Sequence, residues 1–235
     1  FKEDLYNSFL EELEDDYQVD IFFHHFNFDL FKKIIDESAG NYGYYVIMPA
    51  NFSGVAQILE PLPKNKTYIL DQTQETLRHF PSIYQNFENY IYEGLTELYK
   101  NIRRYKKLIL IYDADKQPRG IKSGFELFCS RNKIKHGILG GVDDKVIQKG
   151  EVYFTLDDRD LIITIQKLKQ TSYQLGQDIG IISFNDTLLK EILEGGITTI
   201  SADFKFMGSH LAKMLKNNAL SQIENPKKVF LRKSL

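Results

Sequence analysis

The chain has 235 residues, of which 43% are hydrophobic and 26% are charged, and its formal net charge is −2. This composition is typical of a folded globular protein and excludes a disordered chain. Basic and acidic residues number 30 and 32, and phosphate contacts require a basic surface, so we expect this segment not to bind DNA on its own. The sequence has no apolar run of the ~18 residues that a membrane span needs and no visible signal peptide. We therefore predict a cytoplasmic protein.

Three features that could mark chemistry are explained more simply by structure. Cys129 falls at helical spacing with the apolar residues of 121–128, which predicts a buried packing role rather than a nucleophile. The basic residues of 103–107 follow a predicted helix, where cations complement the helix dipole. His24 and His25 are neighbours on a predicted strand and so point to opposite faces, with no third ligand near them. We expect no metal site.

Apolar spacing predicts helices and strands in alternation. The predicted helices cover 4–17, 28–38, 55–59, 87–102, 119–132, 159–171 and a segment after Asp203. The predicted strands cover 19–23, 44–48, 68–70, 108–112, 134–139, 152–156, 179–184, 197–200 and 229–231. This alternation implies parallel sheets with helices on both faces, and about ten strands would overfill one sheet. The sequence therefore predicts an α/β fold with two Rossmann-like parallel-sheet lobes that flank a ligand cleft, divided near Tyr105.

The sequence lacks the common catalytic signatures. It contains no Walker or dinucleotide glycine loop, no HExxH or CxxC, and no G-x-S-x-G elbow. Consecutive acids at 143–144 and 157–158 are more typical of turns and helix caps than of catalysis. Asp157 fits both a cap of the following helix and a ligand contact, and the two roles are compatible. We predict a protein that is not an enzyme and needs no cofactor.

Polar side chains instead gather at predicted strand ends and helix starts. They are Asp71, Gln85, Asn86, Asn89, Asp113, Asp157, Asn185 and Asp186. Asn donates and accepts hydrogen bonds and ionised Asp accepts them, which suits hydroxyl-rich ligands such as sugars. Nearby aromatic residues could form an apolar wall for a sugar ring, namely Tyr84, Phe87, Phe184 and Phe204.

Several stretches resemble the effector-binding domains of lactose-repressor-family regulators. Residues 178–215, DIGIISFNDTLLKEILEGGITTISADFKFMGSHLAKML, combine a strand that ends in Asn-Asp, a Thr-Thr-hydrophobic strand and a helix with an inner glycine. The stretch VYFTLDDRDLIITIQKLKQ at 152–170 and the closing VFLRKSL fit the same pattern. YQNFENYIYEGL, FELFCSRNK and the tail resemble the branch that is fused behind a gluconate-repressor-type (GntR) winged helix, several members of which respond to arabinose or fucose.

The resemblance implies which residues contact a ligand. The family's ligand-contacting acid after a strand of the second half falls on Asn185, and its polar residue at the head of the preceding helix falls on Asp157. Its aromatic after the Thr-Thr strand falls on Phe204, and the polar residues that open the long helix fall on Asn86 and Asn89.

One position departs from the family pattern. The family often has an arginine three residues before a Gly-aromatic pair, and here Ile121 occupies that place ahead of Gly124-Phe125. Arg119, two residues upstream, is the candidate substitute. The resemblance also implies that the fold's first strand is missing ahead of Phe1.

The resemblance implies an effector-sensing and dimerisation domain of a bacterial transcription regulator. Its N-terminal lobe would comprise residues 1–104 and 204–226, and its C-terminal lobe 105–203 and 227–235. The expected partners are a monosaccharide or sugar phosphate, a second copy of the chain, and DNA only through a domain N-terminal to Phe1, with no membrane. The alternatives are an exported sugar-binding protein of a transport system and an α/β enzyme, which would need a catalytic base that the sequence does not show.

Overall fold

The computed structural model describes residues 2–13 and 17–235. The α-helices in this part are α1 (Lys2–Leu13), α2 (Phe28–Ser38), α3 (Val55–Ile58), α4 (Phe87–Glu97), α5 (Tyr99–Ile102), α6 (Arg119–Arg131), α7 (Asp158–Lys169), α8 (Leu188–Ile192) and α9 (Phe204–Lys216). The strands are β1 (Tyr45–Ile47), β2 (Thr67–Asp71), β3 (Ser82–Tyr84), β4 (Lys107–Ile111), β5 (His136–Leu139), β6 (Glu151–Thr155), β7 (Gly180–Phe184), β8 (Thr198–Ala202), β9 (Gln222–Glu224) and β10 (Lys227–Phe230).

The described chain divides into two compact units. The N-terminal unit comprises residues 2–85 and 203–226, and the C-terminal unit comprises 86–202 and 227–235. The sequence predicted that 86–104 would lie with the N-terminal lobe. In the structure α4 packs on α6 instead, which assigns those residues to the C-terminal unit.

The N-terminal unit contains a parallel sheet in the order β1-β2-β3-β9. Phe31 and Ile35 of α2 pack into its core with residues of β1 and β2. Helix α9 packs closely on α1, and a Cβ added at Gly208 would lie 2.1 Å from the carbonyl oxygen of Leu5. Only glycine permits this approach of two helix backbones.

The C-terminal unit contains a sheet in the order β10-β8-β7-β6-β4-β5, parallel except for β10. All residues of β6, β7 and β8 are buried, as expected for central parallel strands with helices on both faces. Cys129 is 1% exposed in this core, which confirms its predicted packing role. Over the residues that the structure describes, no helix is both long and apolar enough to cross a membrane. The observed parallel sheets confirm the predicted α/β fold class.

The predicted strand at 19–23 is wrong. This segment has no regular secondary structure, and the side chains of Ile21, Phe22 and Phe23 are 48%, 53% and 69% exposed. The apolar, β-branched and aromatic composition favours a strand locally, but a strand also needs a hydrogen-bonded neighbour. In the described chain β1 pairs only with β2, so no ladder reaches this segment.

Other differences are local. The predicted helix 4–17 is α1, which ends at Leu13, and Tyr17 is irregular, while 14–16 lie outside the described residues. The predicted helix 87–102 is divided at Leu98 into α4 and α5. Strands β3 and β9, each of three residues, were not predicted.

Candidate functional site

Asn185 follows β7 directly and is the most unusual residue at the carboxyl edge of the C-terminal sheet. Its φ angle is 61°, in the left-handed region that non-glycine residues seldom adopt. Its backbone N–H donates to the carbonyl oxygen of Ile200 at 2.8 Å and so ends the β7–β8 ladder. Its side-chain oxygen Oδ1 is buried and has no hydrogen-bond partner within the described residues. A buried, unpartnered acceptor is costly, so such a group marks a place where a donor is missing.

Asp186 holds the turn after Asn185. Its carboxylate accepts two hydrogen bonds from Arg232, at 2.6 and 2.9 Å, and one from the Thr199 hydroxyl at 2.7 Å. Burial raises the pKa of this carboxyl, but the hydrogen bonds from Arg232 and Thr199 outweigh burial and hold its pKa below the ordinary value. Asp186 is therefore an ionised structural anchor, and its oxygens are already occupied.

Lys190 holds the other side of the same turn. This residue of α8 is 3% exposed, and its ammonium donates to the carbonyl oxygens of Phe184 at 3.0 Å and Asn185 at 2.9 Å. It also pairs with the carboxylate of Asp158 at 3.0 Å. The backbone at Asn185 is thus fixed by a strand, an ion-paired aspartate and a buried lysine.

Asp157 lies after β6 and caps α7. Its side-chain oxygen accepts a hydrogen bond from the backbone N–H of Asp160 at 2.8 Å, which confirms the predicted cap. Asp157 is exposed, and a carboxylate has further acceptor sites beyond the one that the cap uses. The cap thus leaves Asp157 able to accept a hydrogen bond from a ligand. Burial and the charge of Asp157 raise the pKa of the neighbouring Asp160.

Asn86 and Asn89 lie together at the start of α4. The side-chain oxygen of Asn86 accepts from the backbone N–H of Asn89 at 3.2 Å, so Asn86 is the N-cap. Both residues line a groove of about 430 Å³ together with Glu88, Tyr92 and Leu127. None of Arg119, Asp157 and Asn185 lines this groove.

Close packing joins the starts of α4 and α6 to the end of β7. A Cβ added at Gly124 would lie 2.2 Å from the Glu88 carbonyl oxygen, and one at Gly120 would lie 3.0 Å from Phe87 Cβ. The Phe87 ring in turn lies 6.4 Å, centroid to centroid, from the ring of Phe184. Small residues on α6 therefore position the polar start of α4 near the strand end that carries Asn185.

Arg119 is exposed at the first position of α6, whereas Ile121 is fully buried in the core. Arg119 lies close enough to Tyr112, at the end of β4, to lower its pKa, although burial has the larger effect and raises it. The position at which the family often has an arginine therefore belongs to the core in this chain, and Arg119 is an exposed cation at the start of α6.

Phe204 belongs to the N-terminal unit, where it is the first residue of α9 and 8% exposed. Its contact with a ligand stays a prediction. In the same unit, Asp71 ends β2 with a φ of 74° and accepts a hydrogen bond from the Gln85 side chain. Burial raises the pKa of Asp71. The hydrogen bond from Gln85 lowers this pKa by a smaller amount, so the pKa stays above its ordinary value.

Sequence reasoning missed Lys190 and Arg232, which hold the turn at Asn185–Asp186. One signal for Lys190 was available, because it is the single basic residue within the apolar helix LLKEI. Arg232 lies 46 positions from Asp186 in the sequence, so no local pattern could have linked them.

The chain matches no protein-family model and no curated protein, but solved structures share its fold. A LacI family transcriptional regulator from Silicibacter pomeroyi is 14% identical, with a TM-score of 0.82, over 100% of this chain and 94% of that chain. A LacI family transcriptional regulator from Lactobacillus casei with bound glucose is 12% identical, with a TM-score of 0.77, over 100% and 94%. A lac repressor dimer bound to operator is 16% identical, with a TM-score of 0.70, over 88% and 78%.

These neighbours are transcription regulators and are described neither as enzymes nor as transport proteins. They are named as LacI-family or lac repressor proteins and none of the three as a GntR-type regulator, so they do not support the predicted GntR-type branch. The chain has the fold shared by LacI-family transcriptional regulators.

Proposed function

We propose that this chain is the effector-binding domain of a bacterial transcription regulator and that its effector is a monosaccharide or a sugar phosphate. The proposal is supported by the shared fold and by the polar carboxyl edge of the C-terminal sheet, the place where open α/β sheets bind small ligands. A regulator that handles DNA works in the cytoplasm, which agrees with the predicted location.

The observation that carries the proposal is Asn185. Its backbone is held on both sides, by the bond from its N–H to Ile200 and the bond from Lys190 to its carbonyl oxygen, and the next N–H, of Asp186, donates to the Ser201 hydroxyl. Its buried side-chain oxygen nevertheless has no donor within the described chain. A ligand hydroxyl supplies such a donor, and Asp157 beside it adds an exposed acceptor. Rigidly held acceptors that await hydroxyl donors are suited to a sugar, since their geometry need not be reorganised on binding.

The acidic residues at this edge of the sheet are suited to ligand binding rather than to catalysis. Asp186 is committed to Arg232, and Asp113 forms an ion pair with Lys116 at 2.8 Å, which keeps the pKa of Asp113 low. Asp157 serves as a helix cap. A general base needs a pKa near the working pH, and the acids at this edge with lowered pKa values do not meet that requirement.

The proposed domain acts as a dimer and through a DNA-binding domain in the same polypeptide. One structural neighbour is a repressor dimer bound to operator, and another holds glucose. Effector binding then shifts a conformational equilibrium and changes DNA affinity by about the 5–150-fold range typical of allosteric coupling.

The test is a thermal-shift screen followed by calorimetry, with L-arabinose, L-fucose, D-glucose and their phosphates as probes. A bound probe must raise the melting temperature by mass action. Asn185→Ala should weaken the binding of the best probe by about 1–3 kcal/mol, the usual cost of a lost buried hydrogen bond. Gln170→Ala, an exposed change at the opposite end of α7, is the matched control and should leave affinity unchanged. Equal affinity in wild type and Asn185→Ala contradicts the site.

A further inference from the structure

Helix α8 has an inverted distribution of polarity. Its apolar residues Leu188, Leu189 and Ile192 are 85%, 57% and 75% exposed, whereas its lysine, Lys190, is 3% exposed. Burying an ammonium group is expensive unless all of its charge and donors are matched. A lysine that is buried while leucines stay outside is therefore held there by specific partners.

Those partners use the whole ammonium group. Three donors of Lys190 meet three acceptors, namely the carbonyl oxygens of Phe184 and Asn185 and the carboxylate of Asp158, at 3.0, 2.9 and 3.0 Å. Because an ammonium has three N–H donors and no acceptor, this geometry leaves none over for a ligand. Lys190 is therefore not itself a ligand contact.

The three acceptors lie on two different strand ends. Phe184 ends β7 and Asn185 follows it, while Asp158 opens α7 immediately after the exposed Asp157, two residues beyond β6. The left-handed backbone at Asn185 lets two consecutive carbonyl groups reach one cation, an arrangement that an extended strand does not allow because its carbonyls alternate. One buried charge thus fixes the positions of two candidate ligand residues relative to each other.

We infer that Lys190 is a positioning residue, which sets the orientation of the Asn185 side chain and the place of Asp157 for effector binding. This inference rests on the proposed function and names a device within the same site. The charged groups that face Lys190 are Asp158, Asp186 and Asp157. Burial lowers its pKa and these carboxylates raise it, so they help to retain the proton on the ammonium.

The test is a double-mutant cycle with Lys190→Met and Asn185→Ala, read by calorimetry with the best-binding probe sugar of the panel. Lys190→Met should raise the Kd about tenfold in the wild-type background, equal to about 1.4 kcal/mol. In the Asn185→Ala background the same change should raise the Kd by a clearly smaller factor, since only its effect through Asp157 remains. Equal losses in both backgrounds overturn the inference.

Two further variants guard against a simple folding defect. Asp158→Asn removes only the exposed partner, whose side chain is 67% exposed, and should weaken the probe in the same direction but less. Lys169→Met, which breaks a surface pair with Glu194 at 2.6 Å, is the matched lysine control and should leave the Kd unchanged. Loss of affinity in the control as well as in Lys190→Met contradicts positioning.

A readout without sugar separates this inference from the proposed function. In the ligand-free chain, the amide resonances of Asn185 should shift and exchange with solvent faster in Lys190→Met than in wild type, whereas Lys169→Met should leave them in place. If no probe binds the wild type, the proposed function fails while these signals still decide the positioning role. Unchanged Asn185 signals in Lys190→Met overturn it.

Discussion

Both terminal nitrogens of the Arg232 guanidinium group donate hydrogen bonds to the Asp186 carboxylate, at 2.6 and 2.9 Å. The pair joins the segment after β10 to the turn that carries Asn185. The Arg232 guanidinium also donates to the Ile197 carbonyl oxygen at 2.9 Å, so the arginine is the centre of a network rather than half of a single ion pair.

Removing this arginine should destabilise the fold. Arg232→Gln leaves the partly buried carboxylate of Asp186 without its cation, and breaking such a pair costs about 3 kcal/mol. Urea unfolding followed by circular dichroism measures the change. Arg159→Gln is the control, because its pair with Asp143 is mostly exposed, with side chains 69% and 57% accessible, and is expected to contribute under about 1 kcal/mol. If both substitutions lower the free energy of unfolding equally, the buried network stabilises the fold no more than an exposed ion pair does.

The same pair predicts a loss of stability in acid. The folded-state pKa of Asp186 lies below its unfolded value, so its contribution is present above the unfolded pKa of about 3.9 and is lost as pH falls through the lower folded pKa. Asp186→Asn should therefore cost stability at pH 7 and progressively less below pH ~4. Urea midpoints across this range measure the effect, and a difference that does not change with pH contradicts it.

Asp71 predicts the opposite dependence. Burial raises its pKa in the folded state, so ionising this carboxyl costs stability as pH rises through that pKa. Asn tolerates the left-handed φ of 74° and can still accept the hydrogen bond from Gln85. Asp71→Asn should therefore stabilise the chain at pH 7 and have little effect at pH ~3, where the carboxyl is protonated. Thermal unfolding of wild type and variant at both pH values tests this prediction, and a lower melting temperature of the variant at pH 7 contradicts it.

The contact between α4 and α6 predicts a sharp difference between two glycines. At Gly124 an added Cβ meets the carbonyl oxygen of Glu88 at 2.2 Å, whereas at Gly140 it meets nothing within 4 Å. Gly124→Ala should destabilise by about 1–3 kcal/mol through overpacking and should also weaken sugar binding by displacing the start of α4. Gly140→Ala is the matched control. Similar melting temperatures for both variants would contradict the close approach.

Fold class was readable from the sequence because long apolar strands and amphipathic helices repeat in order, and each signal is local. The helix cap at Asp157 was readable for the same reason, since a cap acts over three residues. Contacts between distant parts of the chain were not readable, as with Arg232 and Asp186. The strand predicted at 19–23 failed because strand formation depends on a neighbour.

At Asn86 and Asn89, the sequence alone could not distinguish a ligand contact from a helix cap. The sequence placed these two residues together with Asn185 as ligand contacts, and the structure brings the start of α4 near the end of β7 through Phe87 and Phe184. It also shows the side-chain oxygen of Asn86 occupied as a helix cap. A polar residue at a helix start can thus serve the backbone alone, a distinction that spacing cannot make.

The irregular 19–23 segment has a practical consequence for handling the protein. The segment presents Ile21, Phe22 and Phe23 to solvent, and the strand that follows it in the chain, β1, is one of the two end strands of the N-terminal sheet in the described residues. Open edges and exposed apolar stretches are templates for intermolecular pairing and aggregation. Turbidity during heating should therefore depend on protein concentration, and Phe22→Lys should suppress it without lowering the reversible melting temperature at dilute concentration. This edge, rather than the strength of the core, would then set the concentration at which the chain can be stored and assayed.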